Sequence, residues 1–482
     1  MERVGRLTAL GSILLLWCLL LPVATDAQQP SGVIYACVGK YAGVSRIVNA
    51  ADSCQSWETR VQWNVAGPAG PQGPAGSPGP AGNPGPPGPV GIPVPAGVSV
   101  SCPGQTIAQA LQTVSGRPLT ITVNGTCTEN LLITRDDVTL RGSSSSGTIA
   151  GADPALDTIR IDGAKRVVIE NLTVTGSSTG GAAGIRGTRG AAFTVRNATI
   201  QGAAGVGVAA MYSSHATIDG NTIQSNGLAG IWVRYGSSAV ITANGIRKNG
   251  EDGIGVFETS AARIGLTEAG LPAGNIIEEN GNGYDGIQLA NDSMGYVYGN
   301  TIRNNRGSGI GVYRQCVLRL LGGNIVQNNR TGVYVRASTL GAGLYDQTTP
   351  SDLISGHPAS GIVAEENASL DLRGGITITG NGGAGGIFAQ HGVRIMMRES
   401  FITNNNMSNP APAGPPGGIL LQLGSSIRFY NPSGSGVPSN FITGNAGYGL
   451  LCGGGESSYT GSASVNWGGN GSGDVSDGCT GF

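Results

Sequence analysis

Trp232, Tyr313 and Tyr334 recur with Arg234 and Arg336 at fixed offsets after a Gly-Ile or Gly-Val pair. In a strand reading Gly-Ile-x-Val, the Ile and Val share one face, so the residue between them and the residue after Val share the other. One outward column then reads Trp232, Gly255, Gln288, Gly311, Tyr334, Val363 and Phe388. The second reads Arg234, Phe257, Ala290, Tyr313, Arg336, Glu365 and Gln390. Aromatic faces stack on pyranose rings, and guanidinium groups pair with uronate carboxylates. Trp232, Arg234, Tyr313, Tyr334 and Arg336 are therefore the candidate polysaccharide-binding residues. The competing reading is a solvated wall, because any exposed strand face carries such side chains.

Acids supply the next chemistry. Asp252 and Asp285 each precede a marker glycine in consecutive repeats, which should stack them. Two stacked carboxylates could hold Ca²⁺, the one cofactor considered, or act as an acid/base pair. Asp-Gly is also a favoured turn dipeptide, and turn chemistry is the preferred reading. Glu365, Glu366 and His391 fall on adjacent repeats of the same face and complete the acid/base candidates.

These residues need a scaffold that repeats. The Gly-Ile/Val/Leu pair begins at Gly184, Gly207, Gly230, Gly253, Gly286, Gly309 and Gly332, then Gly361, Gly386, Gly418 and Gly449. Five of the ten spacings are 23 residues, and the longer ones fit the same unit plus a loop. A second marker, Ile/Val-x-x-Asn, runs in phase at Asn226, Asn249, Asn280, Asn305, Asn329, Asn381, Asn405 and Asn445, with His357 where an asparagine is expected. Each unit reads as three short strands and three turns, too small to bury its own apolar face. Stacking units buries a continuous Ile/Val core, and asparagines repeated at one turn can form a ladder of amides.

The 84 glycines, with 12% charged and 5% aromatic residues, agree with a repetitive all-β body. The two in-phase markers resemble the pectate-lyase-like superfamily of right-handed parallel β-helices. The resemblance implies a β-helix of about 13 coils over residues 98–482. A short amphipathic helix opens it, marked by Thr106-Ile107-Ala108-Gln109 and expected to cap the stack. That scaffold hosts lyases, hydrolases, epimerases and non-enzymatic fibres. Of the polygalacturonase-like signatures, only the His-Gly and Arg-Ile elements are echoed, in Gln390-His391-Gly392-Val393-Arg394-Ile395, and Asn-Thr-Asp is missing. The Asp-Pro-His of alginate epimerases is also missing, since Asp153-Pro154 is followed by Ala155. Polysaccharide binding is thus the leading expectation. A polysaccharide lyase, hydrolase or epimerase, and an adhesive surface fibre, are the alternatives.

The remaining chain is modular. Arg3 and Arg6 precede an apolar run from Leu7 to Val23, which reads as a signal peptide over residues 1–27 and predicts secretion. No second apolar run is long enough to span a bilayer. Residues 28–66 carry Cys37 and Cys54 and resemble a small cysteine-paired module that precedes collagen-like tracts in secreted bacterial proteins. Glycine then recurs at every third position from 67 to 91, a Gly-X-Y stalk or linker over residues 67–97 that either trimerises or serves as a polyproline II spacer. Locality pairs Cys37 with Cys54, Cys102 with Cys127 and Cys452 with Cys479, and leaves Cys316 as a buried, inert thiol. A net charge of −1 without Lys/Arg clusters excludes nucleic acid as an expected partner.

Overall fold

The computed structural model describes residues 32–41, 43–64, 95–143, 147–177, 179–343, 351–406, 417–431, 439–453 and 456–481. The expected signal peptide and the Gly-X-Y triplets lie outside them. The described residues belong to two compact units, divided between Pro89 and Val90.

The amino-terminal unit is a three-stranded antiparallel sheet. Val33–Gly39 lies between Ser45–Val48 and Glu58–Asn64. A sheet this small has little core, and the Cys37–Cys54 disulfide ties it, with Cα atoms 5.6 Å apart.

The second unit is a parallel β-helix. Successive turns contribute strands to three sheets, of 14, 16 and 14 strands among the described residues, and each interior strand pairs with its equivalent in the turns before and after. The first sheet holds the Gly-Ile strands, as in Ile231–Arg234. The second holds strands such as Ser238–Thr242, and the third short strands such as Gly245–Arg247. The first sheet gives about fourteen turns, one more than expected. The marker undercounts because Leu131–Ile133, Ile159–Asp162 and Gly473–Val475 join this sheet without a Gly-Ile pair. The first strand of the body starts at Ala96.

The inward column follows the marker. Ile231, Ile254, Ile287 and Ile310 pair in register and are fully buried. A helix, Ile107–Thr113, buries Ile107 and Ala110 in the same core. Thr106 Oγ1 accepts the Gln109 N–H at 3.2 Å, and Glu129 accepts the N–H groups of Ile107 and Ala108 at 2.8 and 3.0 Å. Disulfides Cys102–Cys127 and Cys452–Cys479 have Cα separations of 5.1 and 5.0 Å.

The two sequence markers are parts of one contact. A Cβ placed on Gly253 would lie 2.6 Å from both the Gly286 carbonyl oxygen and Ile277 Cγ2, and 3.0 Å from Asn280 Nδ2. The glycine is required where the wall of one turn meets the Ile-x-x-Asn turn of the next. Within that ladder successive asparagines donate Nδ2–H to the next Oδ1, at 2.9 Å for Asn226 to Asn249 and 3.1 Å for Asn280 to Asn305, up to Asn329, which is followed by His357. Two further columns were not anticipated. Asn221, Asn244, Asn275, Asn300 and Asn324 form a second amide ladder that ends on Asp352. Ser214, Ser237, Ser260 and Ser293 form a hydroxyl column, each accepting the N–H of the preceding member. Cys316 continues that column, its Sγ accepting the Ser293 N–H at 3.2 Å. The thiol is free and buried, and burial raises its pKa.

Candidate functional site

The outward columns of the first sheet are in the expected register. Trp232 pairs with Gly255, Gly255 with Gln288, Gln288 with Gly311 and Gly311 with Tyr334. Beside them run Ala290, Tyr313, Arg336, Glu365 and Gln390. Four turns separate Trp232 from Tyr334, about 19 Å at ~4.8 Å per turn. The five candidate binding residues therefore share one sheet but fall into two clusters.

The first cluster surrounds Arg234. Its guanidinium pairs with both carboxylate oxygens of Glu258, at 2.7 and 2.9 Å. It also lies about 5 Å from the ring centroids of Trp232 and Tyr235 and 5.4 Å from that of Phe257. Trp232 packs against Ala183, Val206, Ala209, Met211 and Ala229, and its buried Nε1 has no hydrogen-bond partner among the described residues. Glu258, which belongs to neither outward column, occupies the fork that was expected to meet a uronate. Its signal was its place one residue after an outward position of the next turn.

The second cluster holds the tyrosines. Tyr313 and Tyr334 lie on successive turns with ring centroids 5.4 Å apart. The Tyr313 hydroxyl donates to Asp285 Oδ2 at 2.9 Å, and the Tyr334 hydroxyl to Glu365 Oε2 at 2.5 Å. Gln390 Nε2 donates to the other Glu365 oxygen at 2.6 Å. Burial, reinforced by these carboxylates, pushes both phenol pKa values up, so the hydroxyls remain protonated donors. Arg336 is ion-paired with Glu366. His391 lies in the turn after Gly385–Gln390, and its carbonyl accepts the Asn367 N–H at 2.8 Å. A hollow of about 530 Å³ opens beside Tyr313, lined by Gln288, Ala290, Arg314, Arg336, Ala337 and Glu366.

Asp252 and Asp285 stack as expected, but inside the wall. They are 2% and 3% exposed, which closes them to a ligand in solution. Asp252 Oδ1 accepts the Asp285 N–H at 2.9 Å, and Asp285 Oδ1 accepts the Ser308 N–H at 2.7 Å. Burial pushes both pKa values up, and for Asp252 the neighbouring Asp285 adds to it. Ca²⁺ takes six to eight oxygen ligands, about 2.4 Å away and ionised or carbonyl in character. Two buried carboxyls whose ionised form burial disfavours, and which already accept backbone N–H groups, do not fit such an ion. Their arrangement is turn chemistry. The Cys/Glu groupings at Cys37, Cys54 and Glu58 and at Cys102, Cys127 and Glu129 consist of disulfide-bonded cysteines and offer no thiolate.

A family model described as a right-handed β-helix region matches residues 122–268. Solved structures of similar fold include the A-module of Azotobacter vinelandii mannuronan C-5 epimerase AlgE4. It is 16% identical over 78% of this chain and 93% of that one, with a TM-score of 0.39. The periplasmic alginate epimerase AlgG is 12% identical over 78% of this chain and 83% of its own, with a TM-score of 0.44. The enzymatically active domain of bacteriophage CBA120 tailspike protein 2 is 13% identical over 54% of this chain and 43% of its own, with a TM-score of 0.40. No curated protein matches the chain.

Proposed function

We propose that the first sheet is a polysaccharide-binding surface centred on Tyr313 and Tyr334. The observation that carries this reading is the pair of adjacent rings whose hydroxyls are each tied to a carboxylate on a neighbouring turn. Such rings are held in place before a ligand arrives, so little side-chain entropy is lost on stacking a sugar. Glu365, Gln390 and Gln288 supply acceptors and donors for sugar hydroxyls along the same face. Arg234 and Arg336 already have carboxylate partners. On this sheet the recognition is therefore of sugar rings and hydroxyls, with the arginines bracing the wall rather than meeting uronates.

The protein would act outside the cytoplasm, where its three disulfides persist. The Gly-X-Y tract would serve as a stalk, trimeric or single-stranded. A panel of neutral and acidic polysaccharides, read for binding and for release of shorter or unsaturated products, tests the proposal. Binding without product supports it. Product formation moves the reading to a lyase or hydrolase, and altered uronate composition to an epimerase. Lack of binding to every polymer leaves the fibre reading.

A further inference from the structure

The second sheet carries a different concave surface. Its floor is three successive strands, Ser369–Leu372, Arg394–Met397 and Ser426–Phe429. Asp371, Met396 and Arg428 stand in register, as do Arg394 and Ser426. A hollow of about 270 Å³ is lined by Arg373, Met396, Arg398, Arg428 and Tyr430. It shares Met396 and Arg428 with a shallower hollow of about 470 Å³ that includes Arg394.

The charges here are unbalanced. Arg186, Arg234, Arg303 and Arg336 each pair with an Asp or Glu. On the second sheet Arg373 pairs with Asp371, and Arg398 has only Glu399 at 3.7 Å. Arg394 and Arg428 are exposed and have no carboxylate within ion-pair distance among the described residues. Arg394 and Arg428 are thus the two guanidinium groups of this surface without a carboxylate partner among the described residues. Arg398 Nε is buried, and among the described residues it has only the Glu399 carboxylate at 3.7 Å, beyond hydrogen-bond distance. A buried guanidinium without a close acceptor is costly, and Arg398 lines the hollow, where an oxyanion would offer its fork a partner.

We propose that these two adjoining hollows bind a polysaccharide through the oxyanions it carries, sulfate esters or uronate carboxylates, with Arg394 and Arg428 lining the shallower one and Arg398 and Arg428 the other. The guanidinium fork matches either group. Met396 and Tyr430, 39% and 43% exposed, offer apolar edges for the sugar that bears it. The site shares no residue with the first-sheet surface, and neither proposal depends on the other.

The test is titration of the full chain with heparin, polygalacturonate, inorganic sulfate and a single-stranded DNA of matched charge, in parent and Arg394→Ala/Arg428→Ala proteins. Both side chains are exposed, so the double variant should melt with the parent. The proposal expects heparin or polygalacturonate to bind, and the double variant to lose at least about tenfold in affinity. Tighter binding of heparin would assign a sulfate ester, and tighter binding of polygalacturonate a carboxylate. Equal affinity of parent and double variant overturns the proposal, as does lack of binding to both polymers. Binding of inorganic sulfate alone, or equal binding of DNA, overturns the polysaccharide source.

Discussion

Tyr313 donates its hydroxyl to Asp285 Oδ2 at 2.9 Å, joining a ring on the outer face of the first sheet to a carboxyl buried in its wall. The other Asp285 oxygen accepts the Ser308 N–H at 2.7 Å. The candidate binding face and the turn chemistry of the β-helix are therefore one network. Substitutions at the buried carboxyl should be felt at the ring.

Asp285→Ala is expected to cost about 1–3 kcal/mol, because it strands the buried Ser308 N–H. Asp285→Asn keeps an oxygen for that N–H and should cost less. Burial raises the folded pKa of Asp285 above its unfolded value, so the native state holds the proton longer. Its contribution is fully present below the ordinary carboxylate pKa and declines as pH rises through the raised value. Urea unfolding of the parent and both variants from pH 4 to 8 checks the ranking, and the Asn variant should lose this part of the decline.

Asp352 ends the second amide ladder with the wrong group. Its Oδ1 accepts Asn324 Nδ2–H at 2.7 Å, while buried Oδ2 has no partner among the described residues. By the register of the ladder, an amide there would donate toward the Leu320 carbonyl. Burial pushes this carboxyl to about 6, so stability drains as pH rises from the unfolded value of 3.8 through 6. Asp352→Asn should raise stability by on the order of 1–3 kcal/mol at pH 7.5 and by little at pH 4. Thermal melts at those two pH values decide it, and an equal effect at both would contradict the assignment.

His357 carries the opposite pH sign. Nδ1 accepts the Asn329 N–H at 3.2 Å, and Nε2, 3.1 Å from the Val326 carbonyl, donates to it. The neutral ring thus mimics the asparagine amide of the neighbouring turns. Burial lowers its pKa to about 4. Its contribution is present above the unfolded value of 6.5 and is lost as pH falls through 4. His357→Asn should fold normally and remove this acid sensitivity, worth up to about 3 kcal/mol at pH 4. Parallel denaturation at pH 4 and 7.5 provides the comparison.

Gly253→Ala should destabilise by about 1–3 kcal/mol, because its Cβ meets backbone and a ladder amide of the next turn. Gly245→Ala is the control, since an added Cβ there has nothing within 4 Å. It should stay within about 0.5 kcal/mol of the parent. A chemical-denaturation series on the three proteins measures both.

The repeat was legible because Gly253, Ile277 and Asn280 are local signs of one contact that recurs in almost every turn. The register of Trp232, Tyr313, Tyr334 and Arg336 followed from strand alternation alone. What stayed hidden were relations across turns. Glu258 is marked only by following the outward Phe257 of the next turn, and Asp252 and Asp285 look the same in the string whether their carboxyls face solvent or backbone N–H groups. The second amide ladder was readable, since Asn221, Asn244, Asn275, Asn300 and Asn324 each stand two residues before an Ile or Val. The serine column that absorbs Cys316 was readable too, because Ser237, Ser260, Ser293 and Cys316 precede their strands at the same offset.

The most direct measurement is calorimetric titration of a bound polysaccharide into four proteins: the parent, Tyr313→Ala, Tyr334→Ala and Arg336→Ala. Tyr313 and Tyr334 lie outside the apolar core, so both variants should fold, with Tyr313→Ala melting somewhat lower because it removes a hydrogen bond from buried Asp285. Loss of either ring should weaken binding by about 1–3 kcal/mol, in line with removing one stacking surface. Arg336→Ala should change it by less than about 0.5 kcal/mol, because that guanidinium is already engaged by Glu366. Full affinity in both tyrosine variants, on a polysaccharide that the parent binds, would contradict the account and place the ligand elsewhere.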